Sequence, residues 1–382
     1  MTEIAVPLFD IRLSDEDVAA VERTLRSGWL TMGPRTEEFE NAFAAALGAR
    51  HAVATSSCTA ALHLAYLAAG VGPGDEVVVP AITFVATAAA ARYCGAEPVI
   101  ADVVGDADFG IDPAHVAALL TPRTKAVCAV HYGGYAAAVE DLRRLCDERG
   151  LALIEDAAHS PSATTAGGGR KLGTYGLAGA FSFFSNKVLS CGEGGLLATD
   201  DDDAAQLARS RRSHAMTSGT WDRHRGHVLG YDVVDVGFNY RLDEPRAALL
   251  LSRLARLEAD IAARRRRTHG YRERLAAIPG VGLPYPPCAV DASSCYVMPV
   301  LLDEGIDRDR VRSQMMQRHG VQTSVLYPAV HEFTAYATTT GSLPRAEAIA
   351  RRQLTLPLFA HITEGQQDLV VEALDEALRA RP

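Results

Sequence analysis

The sequence predicts an α/β protein. A mostly parallel central sheet is sandwiched by helices, and a smaller α+β unit follows at the C-terminal end. Two observations carry this. Short apolar runs alternate with alanine-rich helical stretches from His51 to Glu155, the β-α-β rhythm of a parallel sheet covered on both faces. Beyond Pro284, Pro286 and Pro287 that rhythm gives way to a single strand–helix–strand pattern. A chain of 382 residues has room for one large and one smaller domain. The expected division is residues 1–250 and 251–382, within or close to a long helical region.

The elements follow in order. Residues 14–27 read as a helix, with Ser14 as its cap and Glu16 in its first turn. Residues 36–47 read as a second helix, capped by Thr36. Strand 51–55 leads to helix 60–69, strand 76–80 to helix 84–94, and strand 97–102 to helix 113–120. Strand 126–131, helix 139–149 and strand 151–155 complete the alternating part. Gly167-Gly168-Gly169 marks a tight turn between two extended pieces. Strands are expected at 179–185 and 195–199. Asp200 to Asp203 should cap and charge the start of a helix. Residues 242–278 read as a long helical region, on which Arg264 to Arg267 form a solvated face beside Glu258 and Asp260. In the smaller unit, strand 295–302, helix 308–318 and strand 322–326 are expected.

Composition excludes several function classes. The net charge is −9, which argues against nucleic acid or an anionic membrane as partner. The longest apolar stretch, around Ala81 to Ala91, is too short to span a bilayer and contains Thr83 and Thr87. The N-terminal stretch is acidic and broken by Pro7, unlike a secretory signal. The seven cysteines are scattered, odd in number and form no C-x-x-C pair. They read as reduced thiols of a cytoplasmic protein, and no clustered Cys and His spacing points to a metal.

The chemistry concentrates in two places. Leu153-Ile154-Glu155-Asp156 is an apolar strand ending in carboxylates. Ala180-Phe181-Ser182-Phe183-Phe184-Ser185-Asn186-Lys187 is a second strand leading to a lysine, followed by the glycine-rich Cys191-Gly192-Glu193-Gly194-Gly195. A carboxylate and a lysine placed this way suit pyridoxal 5'-phosphate (PLP). The carboxylate keeps the pyridine nitrogen protonated, and the lysine bonds the aldehyde carbon and later carries a proton. A free lysine at its ordinary pKa is a poor nucleophile, so burial or a nearby cation must depress that pKa. Successive strand residues face opposite sides, so Asp156 and Glu155 cannot share a role; Glu155 reads as an acidic helix cap. Ser57-Cys58-Thr59 open a helix, where free N–H groups and the helix dipole favour a phosphate dianion and Thr59 adds a hydroxyl. Simple N-capping by Ser57 or Thr59 is the alternative. In residues 213–237, Trp221, Arg223, His224, Arg225 and His227 make a cationic, partly aromatic cluster. It suits a phosphorylated or carboxylated sugar, because Arg grips such anions in forked geometry; the alternative is a solvated loop at a subunit interface.

These motifs together resemble the DegT/StrS-type sugar aminotransferases, within the aspartate aminotransferase fold (PLP-dependent transferase fold type I). Gly28-Trp29-Leu30-Thr31-Met32-Gly33-Pro34, Thr59-Ala60-Ala61-Leu62-His63-Leu64, Glu155-Asp156-Ala157-Ala158-His159, Phe181-Ser182-Phe183 leading to Lys187, Gly192-Glu193-Gly194-Gly195, Asn239-Tyr240-Arg241 and Leu356-Pro357-Leu358-Phe359 occur in the family's order and spacing. The resemblance implies that Lys187 is the Schiff-base lysine and Asp156 the partner of the pyridinium. It implies that His159 reaches the cofactor's phenolic oxygen or stacks nearby, and that Phe84 stacks on the ring, with plain core packing as the alternative. Ser182 matches a second phosphate hydroxyl. Asn239 matches a residue that reaches the phosphate from a second subunit, which implies a homodimer with shared active sites. Arg241 and Tyr327 match substrate-pocket positions. Cys58 stands where the family often has Gly, and Leu326 where it often has His. Some relatives carry His at the Lys187 position and act as dehydratases; Lys here favours transamination.

The implied function is transfer of an amino group from glutamate or glutamine to a keto sugar, expected to be nucleotide-linked, in amino-sugar biosynthesis. A keto-cyclitol or free keto-sugar acid as acceptor, a PLP-dependent sugar dehydratase and a non-catalytic PLP sensor are the alternatives.

Overall fold

The computed structural model describes residues 3–218, 221, 226, 230–337 and 341–380. Arg223, His224, Arg225 and His227 lie outside the described residues.

The strand patterns build one seven-stranded sheet in the order β1-β9-β8-β7-β6-β2-β3. These strands are β1 (His51–Thr55), β2 (Glu76–Pro80), β3 (Glu97–Ala101), β6 (Thr124–Val130), β7 (Ala152–Asp156), β8 (Ala178–Ser182) and β9 (Gly195–Thr199). Strands β3, β2, β6, β7 and β8 pair in parallel, and β9 runs antiparallel to both β8 and β1. The sheet is therefore mostly parallel, as expected. Two short strands, β4 (Val103–Gly105) and β5 (Asp108–Ile111), form a separate hairpin.

Period-two alternation divides the sheet's side chains between two cores. Val78, Val127, Ala129 and Leu153 pack with Val116 of α5 (Pro113–Leu119) and with Leu142 and Cys146 of α6 (Val139–Arg149). On the other face Val77, Val79, Ala126, Cys128 and Ile154 pack with Leu62, Leu64 and Tyr66 of α3 (Cys58–Ala68) and with Ala88 and Ala90 of α4 (Ala86–Tyr93). Parity along β7 therefore sends Asp156 toward the face of Ile154, and Glu155 toward that of Leu153.

The expected helical ends need correction in places. Helix α1 (Asp15–Arg26) is capped by Ser14 through a capping box with Asp17. Helix α2 (Pro34–Leu47) begins two residues before Thr36, with Gly33 as its cap and Pro34 at its first position. Thr36 is instead buried: its N–H (2.9 Å) and hydroxyl (2.8 Å) both donate to Glu244 Oε1, which also accepts from Gly33 N at 2.8 Å. A remote carboxylate thus satisfies the open N–H groups of this helix start. Helix α7 (Asp202–Arg211) is capped by Asp201, as the aspartate run indicated.

The long helical region is two helices, α8 (Glu244–Leu254) and α9 (Leu257–Leu275), broken at Ala255-Arg256. Arg256 pairs with Asp17 of α1 there. Arg264 is not part of a solvated face. It is buried, and its Nη1 donates to the carbonyls of Cys295, Tyr296 and Leu358 at 3.2–3.3 Å; within that run Arg266 is exposed.

The later part carries β10 (Val281–Gly282), α10 (Pro287–Ala292), β11 (Met298–Leu302), α11 (Arg308–His319), α12 (Pro344–Arg352), β12 (Gln353–Leu356) and α13 (Glu364–Arg379). Its antiparallel sheet runs β10-β11-β12. The expected strand 322–326 is not a member of that sheet. Gln322 donates its N–H to Val6 O and Ser324 exchanges hydrogen bonds with Thr355, so the segment only bridges the N-terminal stretch to β12.

Candidate active site

Asp156 ends β7 at the carboxyl edge of the parallel strands, where ligands of open α/β sheets bind. It is buried. Its Oδ2 accepts from the Thr87 hydroxyl at 2.7 Å and its Oδ1 from Ala158 N at 3.1 Å. The Thr83 hydroxyl backs Thr87 at 2.8 Å. Burial raises the carboxyl's pKa, against the lowering pull of those two hydrogen bonds and of Lys187's charge. Such a carboxylate gains most from a cation brought close to it.

Glu155, one residue earlier, caps no helix. Its carboxylate accepts from Gly173 N (2.7 Å), Tyr175 N (2.6 Å) and Gly176 N (2.8 Å). His131 Nε2 donates to it at 3.0 Å, because Ala137 N–H at 3.2 Å takes the other ring nitrogen as acceptor. Glu155 therefore organises the backbone of residues 173–176 on the sheet's other face.

Lys187 follows β8 and is only 9% exposed. Its Nζ lies 4.3 Å from the centroid of the Tyr296 ring, a cation–π contact. Burial lowers its pKa from 10.5 to about 8, with the neighbouring Cys58 and Asp156 opposing. The free-amine fraction near neutral pH is thereby far larger than for an ordinary lysine, as a carbonyl-attacking lysine requires.

His159 is buried, and both ring nitrogens are used. Gly133 N–H donates to Nδ1 at 3.2 Å, which leaves Nε2–H to donate to the Tyr327 hydroxyl at 3.0 Å. Burial and the charge of Lys187 hold its pKa well below the ordinary value, so the ring is neutral. It stacks on Tyr296 at 4.3 Å between centroids. Tyr327 in turn lies 5.7 Å from Phe84. Phe84 is 55% exposed, which plain core packing does not explain.

The start of α3 lies beside β9. A Cβ at Gly195 would fall 2.2 Å from the carbonyl carbon of Ser57 and 2.4 Å from Cys58 N. Glycine is what allows the strand to pass backbone to backbone against this turn. The Ser57 hydroxyl oxygen caps the helix by accepting from Ala60 N at 3.1 Å, and its own hydrogen is left to donate. The N–H groups of Cys58 and Thr59 sit in the open first turn. Ser182 is half-buried at the end of β8, next to this turn through β9.

The residues singled out in the sequence fall into three groups. Lys187, His159, Tyr327 and Phe84 are linked in a chain of contacts through Tyr296, Asp156 is coupled to Lys187 by charge, and Ser57, Cys58, Thr59 and Ser182 lie at the edge of the same sheet. Asn239 is exposed and pairs with Ser213. Arg241 lines a cavity of ≈ 400 Å³ with Thr31, Glu37, Arg212 and Trp221, whereas Lys187 lines a different one. Sequence reasoning missed Thr87 and Tyr296. Thr87 was visible only as a polar interruption in an alanine run, three residues past Phe84. Nothing in its local sequence distinguishes Tyr296 from a core tyrosine.

The residue set fits PLP. A buried lysine of lowered pKa, a buried carboxyl that gains from a nearby cation, an exposed aromatic face and an open helix start each match one part of that molecule.

Residues 12–375 match the family model described as the DegT/DnrJ/EryC1/StrS aminotransferase family. The chain is 37% identical over 377 residues to the spore coat polysaccharide biosynthesis protein SpsC of Bacillus subtilis (strain 168), covering 96% of this chain and 95% of that protein. Among solved structures it superposes on S. venezuelae DesV, determined in complex with a ketimine intermediate, with TM-score 0.89, 36% identity and full coverage (100%) of both chains. DesI, determined in the presence of its TDP-sugar product, gives TM-score 0.87 at 34% identity, covering 99% of this chain and 94% of that one.

Proposed function

Because the chain belongs to the DegT/DnrJ/EryC1/StrS aminotransferase family, and is thus a PLP-dependent sugar aminotransferase, we propose that it moves an amino group from glutamate or glutamine to a nucleotide-linked keto sugar. The observation that carries the chemistry is the buried Lys187, lowered to a pKa of about 8 and within electrostatic reach of the buried Asp156. The nucleotide-linked acceptor is supported by the likeness to DesI, solved with its TDP-sugar product.

When bound, PLP supplies a pyridinium ring that accepts an electron pair from the carbon being deprotonated. The chain's residues then have separate duties. Asp156 holds positive charge on the ring nitrogen, its orientation set by Thr87 and Ala158. The phosphate is received by Thr59, the Ser57 hydroxyl, the N–H groups of Cys58 and Thr59, and Ser182. Phe84 covers one face of the ring. His159 fixes the Tyr327 hydroxyl beside it. Lys187 Nζ takes the α-proton of the amino donor and returns a proton when the acceptor is aminated.

Asn239, exposed on the surface, reaches the phosphate of a partner subunit, and Arg241 contributes to that neighbouring site, so the working unit is a homodimer. Arg223, His224 and Arg225 belong with Arg241 as contacts to the acceptor's anionic part. The division into residues 1–250 and 251–382 is part of the same reading, with the cofactor held mainly by the first. None of the described helices is long and apolar enough to cross a membrane, and the cysteines are free thiols, which supports a reducing, cytoplasmic setting.

The test is spectroscopic. The PLP-loaded protein should absorb near about 420 nm, and L-glutamate or glutamine should shift the band to about 330 nm. A keto sugar that restores the yellow form identifies the acceptor. Lys187→Ala should lose the lysine-linked band and slow the amine transfer by about 10²–10⁴-fold. A band that responds to no amino donor overturns the aminotransferase assignment in favour of a dehydratase or sensor.

A further inference from the structure

Beside Lys187 lies a second feature that the chemistry above does not use. A cavity of ≈ 340 Å³ opens between residues 10–14 of the N-terminal stretch, the Lys187-Val188 turn and the α8–α9 junction. Lys187 forms part of its wall, together with Arg12, Arg253 and Arg264. Arg253 is 7% exposed. Its Nη1 donates to the Ser190 hydroxyl at 3.0 Å, and its buried Nε has no hydrogen-bond partner. Arg264 is matched only by backbone carbonyls, and burial lowers its pKa to about 10. The cavity's other charged groups are largely occupied. Arg256 is paired with Asp17 and Asp10 with His361 (2.7 Å), which leaves the exposed Arg12 and, as the opposing carboxylate, Asp260.

A guanidinium held in a largely buried wall and matched only by one neutral hydroxyl lacks an anionic partner, and an incoming carboxylate at its outer edge supplies one and offsets the cost of its burial. The planar fork of Arg matches a carboxylate in two parallel hydrogen bonds. The position adds a constraint on which carboxylate. Lys187 Nζ must meet the donor's α-carbon, so a donor at Lys187 brings its own carboxylate into the immediate surroundings. We propose that this cavity seats a carboxylate of the amino donor and that Arg253 is the residue that selects for it. The inference rests on the aminotransferase reading and names the donor side of the same site. The N-terminal residues 10–14 then form the outer wall of the donor pocket.

The test uses the PLP-loaded protein and Arg253→Gln, with Arg253→Lys as the second variant. Both should keep the band near about 420 nm, because neither touches Lys187 or Asp156. The glutamate concentration that half-converts the band should rise about tenfold or more in Arg253→Gln, and by less in Arg253→Lys, which keeps the charge but not the fork. An equal rise for glutamine assigns the α-carboxylate; a rise for glutamate alone assigns the side-chain carboxylate. Unchanged half-conversion with both donors overturns the proposal. If Arg253→Gln does not fold, Arg253→Lys decides on the same criterion. Calorimetric titration of the PLP-loaded protein with 2-oxoglutarate separates this inference from the aminotransferase reading. Binding to the wild type that weakens in Arg253→Lys supports the carboxylate seat even where no donor shifts the band, and equal binding to both proteins counts against it.

Discussion

Glu155 and Asp156 are neighbours on one strand, both buried, and their surroundings differ in kind. Glu155 receives three backbone N–H groups and an imidazole N–H. That is close to everything a carboxylate can accept. Asp156 receives one hydroxyl and one N–H. Burial raises its pKa in spite of these bonds and of the charge of Lys187, so its anionic form still gains from further positive charge. The first carboxylate is finished by the fold, and the second is finished only by a ligand that brings positive charge. Chemical identity and burial do not separate a structural acid from a functional one here. Its count of hydrogen-bond donors, set by which face of the strand it occupies, does.

The largest expected effect comes from making the two sides alike. Asp156→Asn keeps the shape and removes the charge. Amine transfer should fall by about 10²–10³-fold, the scale of losing one preorganised electrostatic contact, while the protein still folds and binds PLP. Single-turnover conversion with glutamate measures this. A variant that retains wild-type rates breaks the assignment of Asp156 to the ring nitrogen.

The reciprocal change is smaller and of another type. Glu155→Gln offers the Gly173, Tyr175 and Gly176 N–H groups a neutral acceptor in place of an anion. Hydrogen bonds to charged groups contribute more than neutral ones, so unfolding in urea should show a loss of about 1.5–3 kcal/mol. Amine transfer by the folded fraction should change by no more than about threefold. A loss of activity out of proportion to the loss of stability would falsify the division of labour between the two residues.

How much of this was legible beforehand follows physical lines. The parallel sheet was readable because short apolar runs and alanine-rich stretches alternate along the chain, and Lys187 was readable because its strand and glycine-rich turn are local features. The opposite duties of Glu155 and Asp156 were half legible. Strand alternation separates them, but the partners of Glu155 come from residues 131 and 173–176, and no local pattern shows that. Arg264 was misread for a similar reason. A run of arginines on a helix reads as a solvated face, and the carbonyls that take it in belong to residues 295, 296 and 358. Thr36 reads as a cap in the sequence because the acid that replaces a cap, Glu244, is 208 residues away. What escaped the sequence is in each case a polar contact made over a long loop.

The smallest expected effect reads the same asymmetry through Lys187, which lies on the Asp156 side. Its folded pKa of about 8 is below the ordinary lysine value of 10.5, with burial as the main cause. Below that pH the amine is protonated and has no lone pair for the aldehyde. Capture of PLP by the cofactor-free protein should therefore quicken by about tenfold per pH unit up to pH 8 and then level off. The sign for stability agrees. Burial of the ammonium weighs on the folded state below about pH 8, and the penalty lifts between there and 10.5, where the unfolded chain binds the extra proton. Asp156 opposes the lowering by holding the ammonium form. Asp156→Asn should thus move the break in the capture profile to lower pH, and Glu155→Gln should leave it in place. Stopped-flow absorbance across pH 6 to 10 distinguishes the two, and equal shifts in both variants would mean that the strand's two faces are not electrically separate after all.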